Sequence, residues 1–174
     1  MNFVRVVDSA GVTWEVADRY FPCVGIGEAA DLAAQNGCEL PSPELVDAIW
    51  QHADAKLLPL PRRHDGTPRT MASPEVFADQ QRRIDEQLTA EVEPLLVAGC
   101  FKDVVVSNGK LGLYGWHVAR EEADAFKRRS GVPLHLPRTP IAALVVQPFF
   151  AGHARSWKDY SQGARLVRRV SEPR

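Results

Sequence analysis

The sequence predicts an α+β fold, with helices mainly in the N-terminal half and an antiparallel or mixed β-sheet mainly in the C-terminal half. Three observations carry this. The segments S-P-E-L at 42–45 and S-P-E-V at 73–76 each place serine, proline and glutamate in the order that starts a helix. The segment D-V-V-V-S-N-G-K-L-G-L-Y-G-W-H-V at 103–118 sets an Asn108-Gly109 pair between two runs of strand character. Two further runs, I-A-A-L-V-V and A-R-L-V-R-R-V, follow towards the C-terminus and read as strands.

Taken in order, Val4 and Val6, then D-S-A-G, then Val12, Trp14 and Val16 give period-two patterning on both sides of a turn, which predicts a β-hairpin. E-A-A-D-L-A-A-Q-N-G is a short helix that stops at Asn36-Gly37, residue types that tolerate a left-handed cap. Ser42 caps the next helix, Pro43 takes its first position, Glu44 sits in its positive first turn, and Leu45, Ile49, Trp50, Ala53 and Leu57 follow at helical spacing. After Ser73, the residues Val76, Phe77, Ile84 and Leu88 supply the same kind of stripe. Between these helices, at about 58–72, L-P-L-P-R-R-H-D-G-T-P-R-T-M forms an irregular, basic, proline-rich loop, a length that inside a compact domain suits a lid or binding segment.

In the second run of the Asn-Gly hairpin, Leu111, Leu113, Gly115 and His117 share one face and alternate with Tyr114 and Trp116. That places His117 at the end of an apolar row. A polar helical stretch at 119–129 ends at Ser130-Gly131; I-A-A-L-V-V is a buried strand that gives way near Pro148; A-R-L-V-R-R-V is the last strand.

A chain of 174 residues suits a single globular domain over 1–174. Its 21 basic and 22 acidic residues leave a net charge of −1, so no global field recruits nucleic acid or an anionic membrane. The opening M-N-F-V-R-V-V-D-S-A shows no Sec signal, and no run is apolar enough to span a bilayer. Cys23, Cys38 and Cys100 form no C-x-x-C pair and no disulfide framework, which predicts a reduced, cytoplasmic setting.

The densest polar chemistry lies in G-H-A-R-S-W-K-D-Y-S-Q-G-A-R-L-V at 152–167. Ser161, His153 and Asp159 are the residue types of a nucleophile, its general base and an orienting carboxylate, with His117 as a second candidate base. Gly163 lets backbone amides approach a developing oxyanion, and Tyr160, Arg165, Trp116 and Tyr114 are candidate substrate contacts. The predicted activity is that of a small hydrolase acting on an amide or ester bond of a small-molecule or peptide substrate, with no required cofactor. Three alternatives stand beside it. D-Y-S-Q-G also reads as a tight turn into the last strand, in which case Trp116, Tyr114, Phe149, Phe150 and Trp157 line the groove of a non-catalytic binding module. His117, His153 and Asp159 would hold a zinc ion with an open position for water, although H-E-x-x-H is absent. Nucleic-acid binding through Arg62, Arg63, His64 and Arg69 with Arg165, Arg168 and Arg169 ranks last, for want of a recognised motif. The enzymatic readings all need His117, His153 and Ser161 to converge in one cleft.

The series K-D-V-V-V at 102–106, Y-G-W-H at 114–117, Q-P at 147–148, His153 and D-Y-S-Q-G-A-R-L-V at 159–167 resembles a group of uncharacterised bacterial proteins. In that group the last motif usually reads D-Y-S-H-G-x-R-L-V, so Gln162 stands in a histidine's place. The resemblance extends back through A-A-Q-N-G-C-E-L-P-S-P-E-L-V-D-A-I-W and covers most of the chain, but it implies no activity. Ser161, Gly163 and Arg165 are also similar to the S-H-G-C-x-R signature of the L,D-transpeptidases, with the spacing one residue short and Ala164 where the cysteine would be. Without a thiol that chemistry fails, and the similarity implies only cell-wall peptide, that is peptidoglycan, as a substrate class.

Overall fold

The first hairpin pairs β1 (Phe3–Val7) with β2 (Thr13–Ala17), Val4 opposite Val16 and Val6 opposite Trp14. Its turn is held by the Asp8 carboxylate, which accepts from the backbone N–H groups of Ala10 and Val12 and from the Trp14 indole, all at 2.9 Å. The computed structural model describes residues 1–22, 24–63, 65–88 and 95–170, so Cys23 and His64 lie outside the described residues.

A short β3 (Phe21–Pro22) leads to α1 (Ile26–Gln35), whose Glu28 carboxylate accepts from Gly25 N at 2.7 Å and fixes the first turn. The Ser42 hydroxyl accepts from Leu45 N at 3.2 Å to open α2 (Pro43–His52), with proline at the first helical position as the sequence signal requires. After β4 (Ala55–Lys56), the proline-rich segment contains one helical turn, α3 (Pro68–Met71), before Ser73 opens α4 (Pro74–Asp85) in the same manner. Next come β5 (Val97–Ala98), β6 (Lys102–Ser107) and β7 (Lys110–Ala119), the last two joined through Asn108-Gly109. A 3-10 turn at Arg120–Glu122 runs into α5 (Ala123–Ser130), stopped by left-handed Gly131. The chain ends in β8 (Ala143–Phe150), β9 (Gln162–Ala164) and β10 (Val167–Arg169).

Two sheets organise these elements. The larger has the order β3-β9-β6-β7-β8, antiparallel except for the parallel β6–β9 pair; the smaller has the order β1-β2-β10. β4 and β5 form a separate parallel pair. On β6, Val104 packs with Ile26, Ala29 and Ala33 of α1, whereas its neighbour Val105 packs with Val46 of α2. Successive strand residues point to opposite faces, so the two helices cover opposite sides of the hairpin. α2 also carries Leu45, Ile49 and Trp50 onto Val6, Val16 and Val167 of the small sheet. Among the described residues no helix is long and apolar enough to cross a membrane.

Three expectations fail locally. The last strand is divided: Gln162–Ala164 joins the large sheet and Val167–Arg169 the small one, the chain crossing between them at Arg165 and Leu166, where Leu166 O accepts from Ala17 N at 2.9 Å. β8 continues through Pro148, because it is the sheet's edge and because Gln147 to Phe150 spans three steps where its partners Gly115 to Leu113 span two. An edge bulge leaves no ladder bond for proline to break.

The third concerns β7, where side-chain alternation does not persist. Gly115 has φ +96° and Trp116 has φ +61°, both left-handed. With these dihedrals Tyr114 and His117 reach the same carboxylate of α2 while Trp116 joins Met71 and Tyr160 in a different cluster. His117 therefore does not end the apolar row of Leu111 and Leu113.

A Cβ at residue 115 would lie 3.2 Å from His117 Cε1 and 3.3 Å from Val46 Cγ1. Gly115→Ala is expected to cost about 2–3 kcal/mol, combining left-handed strain with crowding, whereas Gly131→Ala, whose added methyl meets nothing within 4 Å, costs about 1 kcal/mol. Urea denaturation of both variants checks the difference.

Candidate functional site

The segment 151–161 connects β8 to β9 and is tied down on two sides. Its Arg155 and Trp157 carbonyls accept from Gly27 N at 2.8 Å and Ile26 N at 3.2 Å, satisfying the free amides of the first turn of α1. Its Tyr160 N donates to Met71 O at 2.8 Å, and the Tyr160 hydroxyl accepts from Arg62 N at 2.8 Å, which fastens the proline-rich segment against it. Between the two segments lies a cleft of about 330 Å³, with Pro68, Met71 and Ala72 on one wall and Ala154, Trp157 and Lys158 on the other.

Trp157 is rigidly held. The His153 ring stacks on it with centroids 4.6 Å apart and planes 10° apart, Phe150 meets His153 edge-on at 4.9 Å, and the indole N–H donates to Asp159 Oδ2 at 3.3 Å. Met71, Trp116 and Tyr160 form an apolar cluster that Trp157 and Phe77 pack against. The left-handed Trp116 belongs here: its indole donates to Cys100 O at 3.2 Å, and its ring meets Tyr160 at 6.4 Å. Uncommon backbone at a bulky residue is a signature of functional regions, which singles out this cluster.

Of the expected catalytic set, the structure brings Asp159 and Ser161 together and places His153 near Asp159. The buried Asp159 accepts at Oδ1 from Ser161 N at 2.7 Å and from the Ser161 hydroxyl at 2.6 Å, the closed turn that D-Y-S-Q-G also predicted. The serine hydroxyl thus donates to a carboxylate, and among the described residues no imidazole is hydrogen-bonded to it. Burial lowers the proton affinity of His153, opposed by the Asp159 charge and reinforced by Lys102.

His117 sits elsewhere. Its Nε2 lies 2.7 Å from Asp47 Oδ1, its ring stacks on Trp50 at 5.7 Å, and both residues of the pair are buried. Asp47 also accepts from the Tyr114 hydroxyl at 2.8 Å and from Thr139 N and Oγ1 at 2.7 and 3.0 Å. Three donors, the Tyr114 hydroxyl and Thr139 N and Oγ1, thus converge on this carboxylate, and His117 Nε2 completes its hydrogen-bond set. Tyr114, buried and accepting in turn from Arg138 N at 2.8 Å, has no surface for a substrate. The convergence required by the enzymatic readings is therefore not formed. Nor is the zinc set: among the described residues no three His, Cys, Asp or Glu side chains group to hold a metal ion.

Arg165 and Gly163 are also corrected. Arg165 is fully buried; Nη1 donates to Ala17 O at 2.5 Å, Nη2 donates to Val97 O, and the guanidinium stacks 3.9 Å above the Tyr20 ring. From the crossing point it ties the end of β2 to β5, and its burial breaks the cationic strip expected with Arg168 and Arg169. Arg168 itself bonds Glu15 and lies over Phe3. Gly163 lies within β9, where a Cβ would meet Phe101 and Tyr20 at 3.1 Å, so its smallness admits two rings of the core. The expected aromatic groove is divided as well: Trp116 and Trp157 share one cluster, Tyr114 and Phe149 another, and Phe150 is half exposed.

At the position where the resembling group carries histidine, Gln162 is fully enclosed, donating through Nε2 to Val24 O at 2.5 Å and Trp157 O at 3.1 Å. No family model, curated protein or solved structure matches this chain.

Sequence reasoning passed over Asp47 and Lys102. Asp47 lies four residues after Pro43 and three before Trp50, so an acidic residue inside the apolar stripe of α2 was the available signal. Lys102 offered only its place beside Asp103 at the start of a strand.

Asp47→Ala leaves the Tyr114, His117 and Thr139 donors buried and unmatched, and is expected to cost about 3–5 kcal/mol in urea denaturation. A second expectation concerns Asp103, which accepts from the Tyr20 hydroxyl at 3.0 Å and whose carboxyl is pushed by burial up to about 7, against the opposing pull of the Arg165 charge. A carboxyl that binds its proton more tightly in the folded state makes stability fall as pH rises, here from the ordinary carboxylate range to about 7. Asp103→Asn should flatten that part of the stability profile, measured by denaturant midpoints across the same range.

Proposed function

We propose that this protein binds a small ligand in the cleft between the proline-rich segment and residues 151–158. The observation that carries the reading is the cleft itself: about 330 Å³, apolar on both walls, with one indole pinned by a stacked imidazole and by a hydrogen bond. Pockets that take small molecules combine apolar walls with a few fixed polar groups, and this volume falls at the small end of their range. Pinning Trp157 before a ligand arrives lowers the ordering cost of binding. A planar, mostly apolar body suits these walls.

The test uses a panel of small aromatic carboxylates and amides, observed through the indole N–H resonance of Trp157. Ala154 is exposed on the cleft wall, so Ala154→Phe fills the space without entering the core. Compounds that shift the wild-type resonance are expected to lose at least ten-fold in affinity against this variant. A panel with no binder at Trp157, or with binders indifferent to Ala154→Phe, would falsify the reading.

Hydrolysis of an amide or ester is the second reading, favoured by one observation: the His153 imidazole lies flat against Trp157, whose indole donates to the carboxylate of Asp159. In this version the imidazole acts as base towards a water molecule, since the Ser161 hydroxyl is engaged by Asp159. Purified peptidoglycan sacculi are the substrate to try. His153→Ala is expected to reduce release of soluble fragments at least a hundred-fold, consistent with loss of a general base, while the folding midpoint stays within a few degrees. Intact sacculi after incubation with the wild-type protein count against the hydrolase.

A further inference from the structure

We infer that Lys158 determines which ligands this cleft takes, exchanging its surface ion pair with Glu28 for a carboxylate on the ligand. The ligand class is then a small aromatic carboxylic acid. This deepens the binding reading above and rests on it.

Polar chemistry in the cleft is confined to one wall. Among the described residues that line it, Lys158 is the charged one, Ser156 is the one with a hydroxyl, and none is acidic. Ser156 is exposed, and among the described residues its hydroxyl has no hydrogen-bond partner. The acidic side chains next to the lining residues in sequence are occupied within their own loops. Asp65 accepts from Thr67 N at 2.9 Å and from the Thr70 hydroxyl at 2.6 Å, and Asp159 accepts from Ser161 and from the Trp157 indole. An anionic group entering the cleft therefore meets a cation and a hydroxyl on that wall, and no carboxylate of the lining itself.

The present partner of Lys158 is easily exchanged. Its ammonium donates to Glu28 Oε2 at 3.3 Å and lies 5.7 Å from the centre of the Phe77 ring. Both members of the ion pair face solvent, their side chains being 38% and 62% exposed, and exposed pairs contribute little to stability. Glu28 keeps its other partner when the lysine turns away: the same oxygen accepts from Gly25 N at 2.7 Å, and that bond does more than Lys158 to hold the carboxyl below its ordinary range. In the cleft the ammonium would face its new partner beside apolar walls, where water screens the attraction less than it does around Glu28. One ammonium and one hydroxyl match a single negative charge shared by two oxygens, whereas a phosphate dianion would keep charge unmatched. With the carboxylate on this wall, the aromatic body lies between Met71 and Trp157.

Phenylacetate and its neutral isostere phenylacetamide separate charge from shape. Titrated into the wild-type protein at low ionic strength and followed by the Trp157 indole resonance, phenylacetate is expected to bind at least ten-fold more tightly than phenylacetamide. That preference should shrink as salt is added. Lys158→Met, which keeps an unbranched apolar stem, should bind both probes equally, and Lys158→Arg should restore the preference. Glu28→Gln retains an oxygen for Gly25 N and removes the competing charge, so it should tighten phenylacetate at least two-fold and leave phenylacetamide unchanged. Equal affinity of the wild type for the two probes, a preference that survives in Lys158→Met, or phenylacetate binding that Glu28→Gln fails to tighten overturns the exchange at Lys158 and leaves the cleft reading standing. Failure of both probes to shift Trp157 removes the cleft reading and this inference with it. The wild-type comparison needs no variant, so it decides the charge requirement even where a substitution impairs folding.

Discussion

In β7, Gly115 and Trp116 adopt left-handed backbone one after the other, and much of the molecule's chemistry is arranged by that reversal. A regular strand would send Tyr114 and Trp116 to one face and His117 to the other. Here Tyr114 and His117 both bond Asp47 of α2, while Trp116 turns to Met71 and Tyr160 on the side of the cleft. Only glycine accepts φ near +96° without penalty, and only a hydrogen bond and dense packing keep tryptophan at +61°. One local irregularity thus supplies both the polar anchor of α2 and the centre of the aromatic cluster that Trp157 packs against.

Buried charge in this fold is matched unevenly. Asp47 is hydrogen-bonded to Tyr114, His117 and Thr139, so it clamps α2, β7 and the Thr139 segment together. Around Arg165 the hydrogen bonding is incomplete: among the described residues its Nε and Asp103 Oδ1 have no hydrogen-bond partner, although the guanidinium stacks on Tyr20 and bonds two backbone carbonyls. The first arrangement favours rigidity. The second makes the sheet crossing sensitive to protonation, because burial already brings Asp103 close to neutrality at about 7.

The chemistry near Trp157 favours recognition over nucleophilic catalysis. A serine nucleophile needs a base within hydrogen-bond reach, and the hydroxyl of Ser161 instead closes a turn on Asp159. The same turn orients the Trp157 indole through the second carboxylate oxygen, and His153 lies flat against that ring. Residues typical of a catalytic triad here build a stiff wall.

Helix starts and tight turns were legible in the sequence because they depend on neighbours along the chain. Ser42-Pro43, Ser73-Pro74, Asn108-Gly109 and Gly131 each act through hydrogen bonds or dihedral preferences within a few residues, and each occurs where the pattern places it. The α+β class followed from the same local signals. What tertiary structure alone decided was which polar groups meet. Strand alternation predicted the wrong face for His117 because the left-handed step at 115–116 is stabilised by contacts with α2 and Cys100 that no window around Gly115 contains. Arg165 read as a ligand contact because burial of a guanidinium requires carbonyls from Ala17 and Val97, both distant in sequence. Sequence fixes conformational preferences residue by residue; the identity of a site depends on desolvation and partners, and those exist only once the sheets have closed on each other.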